Sequence, residues 1–251
     1  MTNKIALVTG STSGIGRGIA EHFVSRGARV VVHGPREDEA RAMAERLGAE
    51  SFVAGDLATV DACRRAVRFT IEQLGGIDVL VNNAGITTRG YLEDASVELW
   101  DRMMNVNLRA PFLCLQEAVK SMKTRGGGSI VNIGSINAYI GEPKLGPYSV
   151  SKGGLMTLTR NAAATLNRYR IRVNQINVGW TLTEGEERVK REEENDPDWL
   201  EKAVATRPFG RLLAPRDIAV AVEYFASDAS ALVTGTVMDL EQFPVGAPPN
   251  W

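Results

Sequence analysis

A parallel β-sheet of about seven strands, covered by helices on both faces, is the fold that this sequence predicts, and three observations predict it. Short apolar runs alternate with amphipathic segments along almost all of the 251 residues. Several of those runs are apolar at nearly every position, which suits strands buried on both faces. The stretches rich in glycine, asparagine and serine each follow such a run. In a doubly wound sheet they therefore share one rim, beyond the carboxyl ends of the strands, where open α/β sheets bind ligands.

The elements follow in order. KIALVTG (4–10) is the first strand, and a helix-period segment runs from Ile15 to Arg26. ARVVVHG (28–34) precedes a helix from Glu37 to Leu47, and ESFVAGD (50–56) one from Asp61 to Leu74. IDVLVNNAG (77–85) is the fourth strand, and the pattern from Val97 to Lys123 predicts a helix with a break. GSIVNIGS (128–135) leads to a helix from Tyr148 to Tyr169, and IRVNQINVG (171–179) is the sixth strand. A last long helix over Pro215 to Phe225 precedes GTVMDLE (235–241). Strand, helix and strand repeated in this way imply right-handed crossovers. Only Thr181 to Gly210 breaks the rhythm. It is charged and helix-prone, either a solvated excursion or a mobile cover over a site. With no internal repeat or low-complexity linker, residues 1–251 are read as a single domain with an insertion around 181–210.

Composition narrows the function. Apolar residues make up 44% and charged residues 24%, as in soluble globular proteins, and a net charge of -1 offers no footprint for nucleic acid or an anionic membrane. The start, MTNKIALVTG, lacks a signal-peptide layout, and no apolar run reaches spanning length. Two cysteines, Cys63 and Cys114, make no disulfide framework, and His22 and His33 have no metal-ligand spacing. The expectation is a cytoplasmic, metal-free protein that acts on a small molecule.

Three motifs carry the chemistry. TGSTSGIGRG sets Gly10, Gly14 and Gly16 between a strand and a helix, where a tight turn and a helix N-terminus can receive a pyrophosphate. The spacing is G-x-x-x-G-x-G, not the G-x-G-x-x-G dinucleotide fingerprint, and a simple turn is the alternative. No Gly-Lys-Ser/Thr follows, which excludes an ATP-type phosphate loop. In NNAG (82–85), Asn83 is expected to tie neighbouring strands together, while Ala84 and Gly85 stay small enough to admit a flat ring. Tyr148 and Lys152, four apart, share a helix face, which in many proteins is only a surface contact. Here that face looks onto the ligand rim. Acid/base work near neutral pH requires the phenol to drop about three units, roughly 4 kcal/mol, and one ammonium about 4 Å away supplies about that much at an effective dielectric near 20. Ser135, at the end of the fifth strand, is placed to donate to the oxygen that Tyr148 protonates.

With these motifs the sequence resembles the short-chain dehydrogenase/reductase family over nearly its whole length. TGxxxGxG matches Thr9 to Gly16, NNAG matches Asn82 to Gly85, and YxxxK matches Tyr148 to Lys152 at the usual distance after Ser135. The resemblance implies a Rossmann-type doubly wound sheet and a catalytic tetrad of Asn107, Ser135, Tyr148 and Lys152. Tyr148 would exchange the proton, Ser135 polarise the substrate oxygen, Lys152 hold the nicotinamide ribose and lower the tyrosine pKa, and Asn107 anchor a water. In the loop, the implied cofactor-facing residues are Gly10, Ser11, Ser13, Gly14, Ile15 and Gly16. Beyond it they are Gly34, Arg36, Asp56 (against the adenine), Leu57, Asn83, Ala84, Gly85, Tyr148, Lys152, Gly179, Thr181 and Thr183. Two departures concern detail: Val178-Gly179 stands where the family commonly has Pro-Gly, and Asp239-Leu240-Glu241 where it often has Asp-Gly-Gly.

The expected reaction is hydride transfer between a nicotinamide dinucleotide and a carbonyl or alcohol carbon. A non-catalytic dinucleotide-binding regulator is the rival from another class, but it would have no use for Tyr148. Epimerisation or dehydration on the same fold is a second rival. At the end of the second strand, where an NAD site wants an acid for the ribose, the sequence offers His33, Gly34 and Pro35 and then Arg36, suited to a 2′-phosphate, so NADP is favoured over NAD. Around the reacting carbon, Ser135, Asn137, Tyr148 and Trp180 are the expected substrate residues, with Thr87, Arg89 and Glu142 nearby. Their polarity favours a sugar or polyol, with a 3-oxoacyl thioester as the alternative. A homo-oligomer, in particular a tetramer, is expected from the apolar VNLRAPFLCLQEAV stretch and the FPVGAPPNW tail.

Overall fold

The computed structural model describes residues 1–139, 141–194 and 196–246. Seven strands among them form one sheet: β1 (Ile5–Val8), β2 (Arg29–Gly34), β3 (Ser51–Ala54), β4 (Val79–Asn82), β5 (Gly128–Ser135), β6 (Ile171–Val178) and β7 (Val237–Leu240). Their order is β3-β2-β1-β4-β5-β6-β7, and every neighbouring pair is parallel. The chain winds outward from β1 in one direction and returns to wind outward from β4 in the other. The reversal opens a crevice between β1 and β4, whose register of Val8 opposite Val81 brings Gly10 beside Asn83.

Alternate strand residues feed opposite faces, as the two-residue period requires. Leu7, Leu80, Ile130 and Val173 pack under α3 (Val60–Leu74), α5 (Ala110–Thr124) and α6 (Gly146–Leu166). Val8, Val81, Val131 and Ile176 pack under α1 (Gly14–Ser25) and α9 (Pro215–Ala226), with Phe23 and Phe225 fully buried there. Both faces of β1, β4 and β5 are therefore dry, which is why β1 and the start of β4 read as unbroken apolar runs and why the polar residues of β5 are buried. Helix ends follow their local chemistry. The Thr59 hydroxyl accepts the Ala62 N–H at 3.3 Å to start α3, and Gly75, with φ 80°, ends it.

The break expected between Val97 and Lys123 takes the form of a wide turn. Helix α4 (Val97–Met104) passes through a π-helical turn, Asn105–Arg109, into α5 without leaving helical geometry. Pro111 in the first turn of α5 has no N–H to offer the Asn107 carbonyl, and its ring crowds that carbonyl. The π-turn absorbs the mismatch. Helix α6 starts at Gly146, two residues before Tyr148, with Pro147 in its first turn. The insertion forms α7 (Glu184–Glu194) and α8 (Trp199–Ala205), with α2 (Glu37–Leu47) the remaining long helix. Of the tail proposed as a contact surface, 247–251 lies outside the described residues, as does position 195 of the insertion.

A chain of buried amides crosses the sheet. Asn82 donates to Asn132 (2.8 Å), Asn132 to the Thr159 hydroxyl (2.8 Å), and Thr159 to Gln175 (3.0 Å). Gln175 then donates to Asn177 (2.7 Å), and Asn177 to Asp239 (3.0 Å), which also accepts from Tyr139 (3.1 Å). The side chains of Gln175 and Asn177 fill the space that a Cβ on Gly134 would occupy.

Candidate active site

The crevice is a cleft of about 870 Å³ that runs from the end of β2, across the loop after β1, to the start of α6. The loop is shaped by steric necessity. Gly10 has φ 63°, and a Cβ there would lie 2.9 Å from the Ala84 Cα, while a Cβ on Gly16 would strike the Gly10 carbonyl and the Asn83 amide. Asn83 donates to the carbonyls of Thr9 (2.9 Å) and Gly10 (3.1 Å), and the Thr9 hydroxyl accepts the Asn83 and Ala84 N–H groups. β1 and β4 are thus laced together at their ends, leaving the N-terminus of α1 open toward the cleft.

His33 supports the loop from below. Its Nδ1 accepts the Gly10 N–H at 3.2 Å, and burial pushes its pKa down to about 4, so the ring is neutral. At the mouth, Arg36 caps α2 and pairs with Glu39, and both line the cleft. Asp56 pairs with Arg102 at 2.6 Å, and that contact is the main reason its carboxyl is held below the usual range.

The far end is dry. Tyr148 is 8% exposed and Lys152 4%, on one face of α6. Lys152 Nζ donates to the Ile133 carbonyl at 2.8 Å, and burial lowers its pKa to about 8. Burial raises the Tyr148 phenol, while a hydrogen bond with Ser135 and the charge of Arg89 pull it the other way. The expected lowering of the tyrosine by Lys152 is therefore not a property of the chain alone. Nζ sits 5.7 Å from the ring centroid, and low dielectric drives both groups toward neutrality.

Asn107 sits in the π-turn, which aims its amide at the segment after β4. The amide accepts the Ile86 N–H and donates to the Ile86 carbonyl, both at 2.9 Å, and donates to the Ser151 hydroxyl at 3.1 Å. It braces the loop wall, and a Cβ on Gly85 would lie 3.4 Å from its oxygen and 3.5 Å from Lys152 Nζ.

Of the residues expected at the cofactor, Gly10, Ser13, Gly14, Ile15, Gly16, Arg36, Asp56 and Leu57 line the cleft, as do Asn83, Ala84, Gly85, Tyr148, Lys152 and Thr183. Others lie off its wall for identifiable reasons. Ser11 is fully buried behind the loop, with its hydroxyl donating to Val8 O (2.7 Å) and accepting from His33 N (3.0 Å). Gly34 is covered by the Thr12 side chain, and Gly179 by the Glu241 carboxylate. Thr181 turns back onto the Gly179 carbonyl at 3.0 Å. Ser135 reaches the cleft through Tyr148, and it also accepts the Asn137 N–H at 3.2 Å. Trp180 does not line the cleft with Tyr148 and Lys152. Its indole donates to Glu186 at 2.8 Å and packs 6.4 Å from Trp199 in a small core within the insertion. His33, Arg102 and Arg188 line the cleft without having been expected there. Their signals are spread over distant segments, and only His33, ending a strand, could have been suspected from its position.

This lining fits a nicotinamide dinucleotide. The glycine cradle and the α1 N-terminus suit its pyrophosphate, the small Ala84 and Gly85 suit a flat ring, and Lys152 stands beside them. Comparison with known proteins points the same way. A family model described as enoyl-(acyl carrier protein) reductase matches residues 10–241. The chain is 34% identical to L-rhamnose 1-dehydrogenase (NAD(P)(+)) of Azotobacter vinelandii, over 94% of each protein. It is 35% identical to trans-4-hydroxycyclohexanecarboxylate dehydrogenase of Sinomonas cyclohexanicum, over 96% of this chain and 92% of that one. Among solved structures, L-sorbose reductase from Gluconobacter frateurii, complexed with NADPH and L-sorbose, superposes with a TM-score of 0.92 at 28% identity, covering 99% of this chain and 98% of that one.

Proposed function

The chain belongs to the short-chain dehydrogenase/reductase family, NAD(P)-dependent oxidoreductases acting here on CH–OH groups, and from that premise we propose that it interconverts a secondary alcohol and a ketone, or a lactol and a lactone, of a small hydroxylated compound such as a sugar or polyol, with NADP preferred to NAD. The observation that carries the proposal is a buried proton-handling group under a polar rim. Tyr148, hydrogen-bonded with Ser135 and followed one turn later by Lys152, lines the cleft with Thr87 and lies within reach of the Arg89 charge, while Asn137 follows Ser135 with its N–H on the serine hydroxyl. Several hydroxyls on a substrate would find partners on such a rim, whereas an apolar chain would leave those groups unpaired.

In the reducing direction Ser135 donates to the carbonyl oxygen and Tyr148 delivers the proton to it. Lys152, with its pKa near 8, carries about as much ammonium as amine at mildly alkaline pH and so returns a proton to the tyrosine readily. The nicotinamide, when bound, would supply or accept the hydride; Gly14 to Gly16 would hold the dinucleotide's pyrophosphate, and Asn83 to Gly85 with Lys152 its nicotinamide end. Asn107 keeps the wall after β4 in place. Arg36 supports the NADP preference, and Glu39 beside it moderates that preference.

The 3-oxoacyl thioester reading has its own support in Tyr91 (49% exposed) and Leu92 (72% exposed), which lie beside the start of α6 and offer apolar surface to a longer chain. Matched kinetic panels decide between the two. Turnover of thioesters with none of any sugar or polyol would overturn the hydroxylated-substrate reading. We also read residues 1–251 as one catalytic domain that works in the cytoplasm as a homo-oligomer, most simply a tetramer. Val97, Trp100 and Phe112 on α4 and α5, and Val150 on α6, leave apolar surface open to a second copy. A scattering mass of 27.2 kDa at micromolar concentration would exclude such an assembly.

A further inference from the structure

The insertion meets the glycine loop and the first turns of α1 where α7 begins. Glu184, the first residue of α7, forms an ion pair with Arg17 of α1. Its carboxyl is held below the ordinary value by its own backbone N–H first, and also by Arg17 and the Gly14 N–H. Just before it, the Thr183 methyl lies 3.6 Å from the position a Cβ on Gly14 would take. One turn further along α7, on the same face, Arg188 lines the cleft with Thr183 and Gly185.

The charges on α7 are mostly engaged. Glu184 serves Arg17, Glu186 accepts the Trp180 indole, Glu187 pairs with Arg191 at 3.4 Å, and Lys190 stands 5.1 Å over the Trp180 ring. Arg188 has no hydrogen-bond or ion-pair partner among the described residues, and it faces the cleft where the α1 N-terminus already favours an anion. Arg36, at the end of β2, stands on the other side of the loop and is paired with Glu39.

We infer that Arg188 is a phosphate-binding residue which α7 brings to the pyrophosphate of the dinucleotide, and that the Glu184–Arg17 ion pair is the clasp that keeps it there. The inference rests on the oxidoreductase reading and adds to it a residue on the cover that governs cofactor retention. A guanidinium bonding a phosphate contributes enough for its loss to weaken binding about tenfold or more. Because both cofactors carry the pyrophosphate, the loss falls equally on each.

Direct binding tests this, by NADPH and NADH fluorescence and by calorimetry, on wild type, Arg188→Gln, Arg188→Lys and Glu184→Gln, each checked for native circular dichroism. Arg188→Gln should raise both dissociation constants about tenfold, and Arg188→Lys should recover most of the loss. Glu184→Gln should speed dissociation in stopped-flow more than it slows association. A change within twofold for Arg188→Gln overturns the assignment. So does a loss confined to NADPH, which would put Arg188 at the 2′-phosphate. Tighter binding by Glu184→Gln overturns the clasp, since the carboxylate would then be competing with phosphate. If wild type bound neither cofactor, the oxidoreductase reading itself would fall; if wild type binds and the variants match it, only this inference fails.

Discussion

The two ends of the cleft hold charge under opposite conditions. At the α6 end, Lys152 is 4% exposed and has a backbone carbonyl, not an acid, for a partner. At the β2 end, the Arg36 side chain is 66% exposed and pairs with Glu39. Burial without a counter-charge moves protonation, so the dry end is where the chain controls proton transfer. Exposure with a counter-charge leaves the pair screened by solvent, so the wet end sorts ligands by modest margins. Equal changes of charge should therefore cost far more at one end than at the other.

The largest effect is expected at the dry end. Tyr148→Phe should lower kcat about a thousandfold, within the span of positioned acid/base groups, while the NADPH dissociation constant stays within twofold. Single-turnover rates beside equilibrium binding check both halves, and a variant keeping a tenth of wild-type activity would remove the tyrosine from the centre of the mechanism.

Lys152 gives the next effect, and it is read from stability without cofactor. Folded Lys152 releases its proton near pH 8, while in the unfolded chain a lysine holds it to about 10.4. Between those values the unfolded state binds more protons, so stability rises with pH across that window. Relative to Lys152→Met, wild type should gain on the order of 3 kcal/mol from pH 7.5 to 10. Above that range Tyr148, whose pKa is raised by burial, works in the opposite direction. Urea unfolding at half-unit pH steps measures the difference, and parallel curves for the two proteins would mean that the ammonium is not desolvated.

At the wet end, Arg36→Gln should reduce the ratio of NADP to NAD specificity constants about tenfold, and Glu39→Gln should raise it about threefold. Unchanged ratios would take 2′-phosphate recognition away from this corner. The smallest effect belongs to Glu37 and Arg41, an exposed pair on α2 at 2.7 Å. Glu37→Gln should shift stability by less than about 0.5 kcal/mol and leave cofactor preference alone. A larger change would mean that the wet end is less screened than its exposure implies.

What could be read from the sequence divides along the same line. Glycine spacing, apolar runs and Tyr148–Lys152 are local, and the sheet, the α2 boundaries and the cradle around Gly10 and Gly16 follow from them. What could not be read depends on partners far along the chain. Trp180 carries an indole beside the glycine that follows β6, but Trp199 and Leu212 draw it into the insertion's own core. Asp56 finds Arg102 across 46 positions. The π-turn at Asn105–Arg109 is hidden because the apolar pattern continues through it, and only Pro111 hints at the extra width. The raised phenol of Tyr148 is a property of the dry surroundings, which no spacing of residues states.

The amide chain through β5, β6 and β7 has a consequence for how this sequence can change over generations. Gln175 and Asn177 occupy the room left by Gly134, and each amide in the row depends on the next for its partner. A side chain gained at position 134 before 175 and 177 shorten would meet occupied space, and a shortening made first would strand buried donors. Neither order is neutral. The three positions should therefore vary as a linked block among descendants of this protein, with history, not chemistry alone, deciding which combinations are ever sampled.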